Sequence, residues 1–292
     1  MAVSTHRLTT GARKHGYAVP AVNVFDEISM RAVIAAAEEK DSPLIVQIST
    51  KTVRTSGTAF ITSLFQALTR HTSVPVALHL DHCPDRSVLS DVIAAGWSSV
   101  LFDASDRDLA DAERETTEVV KEAHAAGVDV ESEIENILGV EDGVGSDEAH
   151  HAYTVDQLAA IAERTGADLL APQLGTSHGL FTSKPTLLPE RARELAHLTD
   201  KGIVLHGGTG LEPADFRAFI NNGVSKINIS TAVKHAYMQA SAEHLDWARA
   251  NNHWDPPKLM TAIGDAVTSV IGDHIEWFGS DGTAAKAKAA KP

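Results

Sequence analysis

Short apolar runs separated by amphipathic stretches repeat at intervals of roughly 25–35 residues along most of the chain, and this alternation constrains the fold more than any other feature. Eight runs stand at residues 18–24, 44–48, 74–80, 99–102, 128–133, 169–172, 203–206 and 226–229. Such runs suit strands buried on both faces, as parallel sheets require. Helical spacing of apolar positions fills the intervals, at 27–39, 59–70, 86–95, 109–126, 155–164, 189–198, 213–221 and 232–250. Pro189 and Pro213 suit a first helical turn, and Gly96, Gly127, Gly166, Gly202 and Gly223 suit chain reversal after a helix. The pattern predicts an α/β fold, a single (β/α)8 TIM barrel over residues 1–280. Periodicity alone leaves an open doubly wound sheet as the alternative. An extra C-terminal helix, 258–278, is expected to cover the barrel or mediate subunit contact. The tail 281–292, rich in Ala and Lys, reads as a frayed, flexible terminus.

No Pro/Ser-rich linker divides the 292 residues, so one domain is expected. A 43% hydrophobic chain with 22% charged residues can bury a substantial core. The net charge of −14 argues against a nucleic-acid partner, because neutralising many phosphates needs clustered Lys and Arg. Any phosphate must then be held by backbone N–H groups and hydroxyls. Cys83, alone of its kind, excludes an intramolecular disulfide and fits a reducing cytoplasm. No apolar run approaches the ~20 residues that span a bilayer, and the first residues do not resemble a signal peptide.

In a barrel of this kind the active site lies at the C-terminal ends of the strands. Six of the eight runs end in polar or ionisable groups. The third ends His79-Leu-Asp81-His82, the fourth Asp103-Ala-Ser105 and the fifth Glu131-Ser-Glu133. The sixth leads to Gly175-Thr-Ser-His178-Gly179, the seventh to His206-Gly-Gly-Thr-Gly210 and the eighth to Asn228-Ile-Ser230-Thr231. His82, His178 and His206 are candidates to converge above the barrel axis, where three imidazoles and an open fourth position make a zinc site that accepts substrate. His150 and His151 read as a solvated loop pair, and Cys83 as a buried thiol. The glycine-rich turns 175–179 and 207–210, with 228–231, are a candidate phosphate cradle. Residues 135–153 read as a long acidic loop, with a mobile lid that delivers a carboxylate and a plain solvated loop both open.

These residues resemble the class II fructose-1,6-bisphosphate and tagatose-1,6-bisphosphate aldolases over nearly the full chain. The resemblance rests on Pro20-Ala-Val-Asn23, Val46-Gln-Ile-Ser49, His79-Leu-Asp-His82, Phe102-Asp-Ala-Ser105, Val130-Glu-Ser-Glu133, Val140-Glu-Asp-Gly143, Gly175-Thr-Ser-His-Gly179, His206-Gly-Gly-Thr-Gly210 and Lys226-Ile-Asn-Ile-Ser-Thr231. It implies reversible, zinc-dependent aldol cleavage of a ketose 1,6-bisphosphate to dihydroxyacetone phosphate and an aldehyde such as glyceraldehyde 3-phosphate. Fructose 1,6-bisphosphate is the first candidate, and tagatose 1,6-bisphosphate or another phosphorylated ketose the alternative. His82, His178 and His206 are implied zinc ligands, Asp81 the acid/base at the aldehyde oxygen, and Glu141 the base at the dihydroxyacetone phosphate carbon. Asp103 and Glu133 resemble the family's outer carboxylates, which orient ligands or hold a second divalent or a monovalent cation. Gly179, Gly207, Thr209, Asn228, Ser230 and Thr231 are implied at the dihydroxyacetone phosphate end, and Asn23 and Ser49 at the other half. The resemblance further implies a homodimer or homotetramer in carbohydrate metabolism.

The chain departs from the family pattern in three places: Glu133-Ile-Glu-Asn-Ile-Leu-Gly139 replaces a glycine-rich run, Cys83-Pro-Asp85 replaces a glycine turn, and Ser230 stands where Asp or Ala is common. Two rival readings are a Schiff-base aldolase using Lys226 or Lys184 and a non-catalytic sugar-phosphate binder.

Overall fold

The computed structural model describes residues 3–141, 144–146, 152–179 and 185–289. The chain opens with α1 (Thr5–His15), then β1 (Val19–Asn23), α2 (Glu27–Glu39), β2 (Leu44–Ser49), α3 (Thr50–Ser56) and α4 (Thr58–Thr69). Next come β3 (Val76–Cys83), α5 (Arg86–Ala94), β4 (Ser99–Asp103), α6 (Leu109–Ala125) and β5 (Asp129–Glu133). A small antiparallel hairpin, β6 (Gly139–Glu141) and β7 (Val144–Ser146), precedes α7 (Val155–Thr165), β8 (Leu169–Leu170) and α8 (Pro189–Leu198). The chain continues through β9 (Gly202–Leu205), α9 (Pro213–Asn221), β10 (Val224–Ile229), α10 (Thr231–Asn251), α11 (Pro256–Phe278) and α12 (Ala284–Ala289).

Eight parallel strands close into a barrel in the order β1-β10-β9-β8-β5-β4-β3-β2, as the repeated strand–helix pattern predicts. Closure, which periodicity left open against a doubly wound sheet, is set by the β1–β10 pairing, with Ala21 opposite Asn228. Each strand divides its residues by alternation. Val22, Val46, Leu78, Val100, Val130, Leu205 and Ile227 pack outward under the helices in the main core. Inside, the lower barrel is apolar: Val19, Ala21, Ile45 and Ala77 pack with Leu8 and Ala12 of α1. Higher up the interior turns polar, with Gln47, His79 and Glu131 fully buried below Asn23, Asp81, Asp103 and Glu133.

Helix α1, which the sequence pattern did not reveal, lies across the N-terminal mouth of the barrel. Ser4 Oγ donates to Asp129 Oδ2 at 2.8 Å, and the Thr5 and Ser99 hydroxyls meet at 2.6 Å, so the helix is fixed to the first residues of β4 and β5. Its apolar stripe is narrow, Leu8 and Ala12 one turn apart in a polar segment, and that leaves little periodic signal. Gly96, Gly127, Gly166 and Gly223 have the positive φ expected after helices. Gly202 does not: it begins β9, and its missing side chain makes room for Thr9, whose Oγ1 would lie 2.9 Å from a Cβ there.

The tail also differs from the expected frayed end. Gly282 N donates to Lys40 O and Ala284 N to Asp41 O, and Ala284 and Ala287 are buried. The Ala-rich spacing gives α12 one small face that docks, and residues 290–292 lie outside the described residues. Helix α11 packs on α2 and α10, so it covers the barrel's flank as expected. Asp142, Gly143, His150, His151 and Lys184 lie outside the described residues.

Replacing Gly202 by Ala should lower stability by about 1–3 kcal/mol, because the new methyl overpacks against Thr9 and Leu169. Urea unfolding would read this, and adding Thr9→Ala should recover part of the loss. An unchanged midpoint in Gly202→Ala would mean α1 is not seated tightly on β9.

Candidate active site

A regular strand sends neighbouring side chains to opposite faces, yet Asp81 and His82 both reach the mouth of the barrel. The backbone makes this possible. Asp81 is the last residue of β3 in register with β2, opposite Ser49, and the β3–β4 ladder slips between Leu80 and Cys83. His82 then takes a φ of 39°, a left-handed conformation unusual for a residue with a side chain. Such strain costs on the order of 1–3 kcal/mol and collects at functional sites. A hydrogen bond from Thr50 Oγ1 to His82 O, at 2.9 Å, holds the distorted turn.

His82, His178 and His206 come from β3, the turn after β8 and the end of β9, and their rings converge. Centroids lie 4.9 Å apart for His82–His178, 4.8 Å for His82–His206 and 5.8 Å for His178–His206. Their partners fix which nitrogens carry protons. His82 Nδ1 donates to Asp103 Oδ2 at 3.0 Å, and His206 Nε2 donates to Glu131 Oε1 at 2.9 Å. Carboxylates only accept, so in both neutral rings the inner nitrogen bears a lone pair. Those two inner nitrogens, His82 Nε2 and His206 Nδ1, face each other at 3.1 Å. Two lone pairs at that distance repel unless a proton or a metal ion lies between or beside them.

The carboxylates reinforce the demand for positive charge. Burial opposes protonation of His82, but Asp81, Glu133 and Asp103 outweigh it and lift its pKa well above the ordinary histidine value. Burial likewise opposes ionisation of Asp103, yet the hydrogen bonds from His82 and Ser105 bring its pKa down to about 2. Burial, then the neighbouring Asp103, pushes Glu133 well above the usual carboxylate range. Glu133 Oε2 has no hydrogen-bond partner among the described residues and lies 3.3 Å from His206 Nδ1. Two donor sets therefore suit a cation: His82, His178 and His206, and His82 with Asp103 and Glu133. Two imidazole nitrogens sharing one tetrahedral ion at about 2.0–2.1 Å stand about 3.3 Å apart, close to the spacing seen here. The residues fit a divalent metal ion.

Below the histidines a connected polar network runs through the barrel. Asn23 Nδ2 donates to Asp81 Oδ2 at 2.7 Å, and Gln47 Nε2 donates to Asn23 Oδ1 at 3.0 Å. Lys226 Nζ, fully buried, donates to Glu131 Oε2 at 2.7 Å and to Asn228 Oδ1 at 2.9 Å. Asn228 Nδ2 points to Asp81 Oδ1 at 3.5 Å. His79, which the sequence places on Asp81's face, donates or accepts through Nδ1 with Ser99 at 2.7 Å; burial, then the Lys226 charge, holds its pKa well below normal. The Lys226 amine is thus committed to an ion pair, a poor state for a Schiff-base nucleophile.

The glycine turns pack on one another. Gly207 has a φ of 66°, and a Cβ there would sit 2.3 Å from Ser177 O, so no side chain fits between the two turns. Thr176 Oγ1 donates to His206 O at 2.7 Å, joining the same turns from the other side. Gly139, at the root of the β6–β7 hairpin, lies against the His178 backbone, and His178 N donates to Leu138 O at 2.7 Å. Glu135, from the departure segment, is buried and accepts from Arg191, Tyr153 N and Gln173 N, which fastens the base of the loop. Ser230 Oγ, buried before the uncapped N-terminus of α10, has no hydrogen-bond partner among the described residues.

Of the residues singled out in the sequence, Asn23, Asp81, His82, Asp103, Glu133, His178, His206 and Asn228 are gathered at one barrel mouth. Ser49 serves α3 as its N-cap, accepting from Thr52 N at 3.3 Å. Gly179 and Thr209 sit in the adjoining turns, Thr231 begins α10, and Glu141 ends β6, although its side chain lies outside the described part. Sequence reasoning gave no role to Glu131 and Gln47. The signal was their spacing, each two residues before a chosen site residue on the same inward face.

The family model described as fructose-bisphosphate aldolase class-II matches residues 3–283. A fructose-bisphosphate aldolase of Thermus caldophilus is 34% identical over 308 residues, covering 97% of this chain and all of the relative. A sulfofructosephosphate aldolase of Alkalicoccus urumqiensis is 30% identical, with 97% and 98% covered. Among solved structures, the YdjI aldolase of Escherichia coli K12 superposes with a TM-score of 0.84 at 30% identity, covering 97% of this chain and all of that one.

A divalent ion that binds only the folded site should raise the thermal unfolding midpoint, by the equivalent of about 2.7 kcal/mol at a hundredfold excess over Kd. Differential scanning fluorimetry with and without Zn2+ measures it. The shift should vanish in His178→Ala and His206→Ala; a shift of full size in both would rule out this site as the ion's location.

Proposed function

Because the chain belongs to the class II fructose-bisphosphate aldolase family, we propose that it cleaves a ketose 1,6-bisphosphate, fructose 1,6-bisphosphate first among them, to dihydroxyacetone phosphate and glyceraldehyde 3-phosphate. The observation that carries this reading is the pair of imidazole nitrogens that face each other at 3.1 Å beside Asp81, whose own two oxygens are held by asparagines. Zinc is the proposed ion, held by His82, His178 and His206, and Asp103 with Glu133 would hold a second divalent or a monovalent cation. When bound, zinc supplies Lewis acidity and a fixed positive charge beside the substrate carbonyl.

The chain's own groups move the protons. In cleavage, Asp81 accepts the C4 hydroxyl proton as the C3–C4 bond breaks. Amide N–H groups of Asn23 and Asn228 face its two oxygens and keep the carboxylate oriented. Glu141 returns a proton to the dihydroxyacetone phosphate carbon. Support for its proximity is the root of its hairpin, where Gly139 packs on the His178 backbone.

The dihydroxyacetone phosphate end of the substrate is assigned to Gly179, Gly207, Thr209, Asn228, Ser230 and Thr231. The Ser230 hydroxyl at the head of the 21-residue α10, without a hydrogen-bond partner among the described residues, supports this, since a helix N-terminus offers N–H groups and positive potential to an oxyanion. Neutral donors of this kind suit a protein of charge −14. Asn23 and Ser49 are assigned to the aldehyde half, where Ser49 also caps α3. That half decides the substrate, and a relative named for sulfofructosephosphate keeps tagatose and sulfonated ketose phosphates in the test panel beside fructose. A homodimer or homotetramer in the cytoplasm completes the proposal. Exposed Met238, Leu245, Trp247, Trp254 and Met260 on or beside α10 and α11 support self-association. Among the described residues no helix is long and apolar enough to cross a membrane.

The test is a dihydroxyacetone phosphate release assay over stereoisomeric ketose bisphosphates, with metal analysis of the same sample. Asp81→Ala should keep its metal and lose roughly 10²–10⁴-fold in kcat. Full turnover in that variant, or activity that survives complete chelation of the metal, would refute the assignment.

A further inference from the structure

We propose that the buried Glu131–Lys226 ion pair is a positioning device with two arms, one setting the ligand nitrogen of His206 and the other the orientation of Asp81. The inference rests on the aldolase reading of the site and adds to it two residues that touch neither metal nor substrate. Both side chains are fully buried at mid-barrel, where a charge pair pays a desolvation penalty that a hydrophobic pair would avoid. Such a pair contributes little net stability on its own, so its contacts point to its role.

The hydrogen bonds that leave the pair lead to the site above. Glu131 Oε1 accepts from His206 Nε2 at 2.9 Å. Because a carboxylate only accepts, this bond keeps the proton on Nε2 and leaves Nδ1 as a lone pair aimed at His82. The other oxygen, Oε2, is held by Lys226 Nζ at 2.7 Å, so the carboxylate cannot rotate away. His79 Nε2, at 3.8 Å from Oε2, is too distant to replace that bond. The second arm starts at the same ammonium. Lys226 Nζ also donates to Asn228 Oδ1 at 2.9 Å, which can only be the amide oxygen. The Asn228 amide nitrogen must then face Asp81 Oδ1, as it does at 3.5 Å. One lysine thereby fixes an imidazole tautomer on one side and an amide flip on the other.

The experiment uses full-length protein loaded with Co2+, whose visible absorption reports ligand geometry without catalysis. Glu131→Gln should bind Co2+ about 10–100-fold more weakly, with a changed visible spectrum, because the amide no longer serves both partners as acceptor. Lys226→Met should lower kcat about 100-fold with little change in KM, through the loosened Asn228 and Asp81. A lone Met beside Glu131 leaves a buried unpaired carboxylate, so the neutral double variant Glu131→Gln/Lys226→Met guards against simple unfolding. It should fold and bind Co2+ no more tightly than Glu131→Gln. Wild-type affinity and spectrum in Glu131→Gln or in the double variant would overturn the proposal. Wild-type protein that binds Co2+ but cleaves no ketose phosphate sinks the aldolase reading alone, and the affinity comparison still decides the His206 arm. Wild-type protein that binds no Co2+ sinks both.

Discussion

Two imidazole nitrogens held 3.1 Å apart by carboxylates behind them are a configuration that only a shared proton or a metal ion makes stable. Much of the upper barrel follows from that constraint. Asp103 and Glu131 fix the outward nitrogens, Glu133 brings a further oxygen with no hydrogen-bond partner among the described residues, and His82 is driven toward its charged form. Buried carboxylates without such a centre would be costly. With a divalent ion bound, the same arrangement would form an electrophilic site beside Asp81, the proposed acid/base group.

The barrel delivers this arrangement by breaking its own rules at one point. Alternation along β3 would place Asp81 and His82 on opposite faces, and the left-handed turn at His82 brings both to the mouth. The distortion is anchored by Thr50, the first residue of α3, which immediately follows β2. Strain at the site is therefore balanced by a hydrogen bond from a neighbouring βα connection. Alternation from Gln47, His79, Glu131 and Lys226 onward is why these supporting groups lie beneath the site residues two positions further along each strand.

Phosphate recognition fits the same frame. An acidic protein gains nothing from a broad basic surface when backbone amides, hydroxyls and a helix terminus converge beside the metal ligands. The close packing of the turns at Gly207 and Ser177 ties that region to His206 and His178, so the turns proposed to grip phosphate and the proposed metal ligands are packed as one unit.

The sequence by itself determined the eight strands, their parallel alternation with helices, and the strand-end motifs that carry the three histidines and Asp81. Each of those depends on local periodicity or on a motif at a strand end, and both are written in consecutive residues. Helix α1 and the docked α12 were not legible, because their small apolar faces (Leu8 and Ala12, and Ala287) make sense only against Val19, Ala21, Ile45 and Ala77 from distant segments. The φ of His82, the ion pair of Glu131 with Lys226 and the capping role of Ser49 were likewise decided by tertiary structure. A tautomer, an amide orientation or a strained dihedral depends on which group lies opposite across the barrel, and closure of the barrel is what brings those groups into contact.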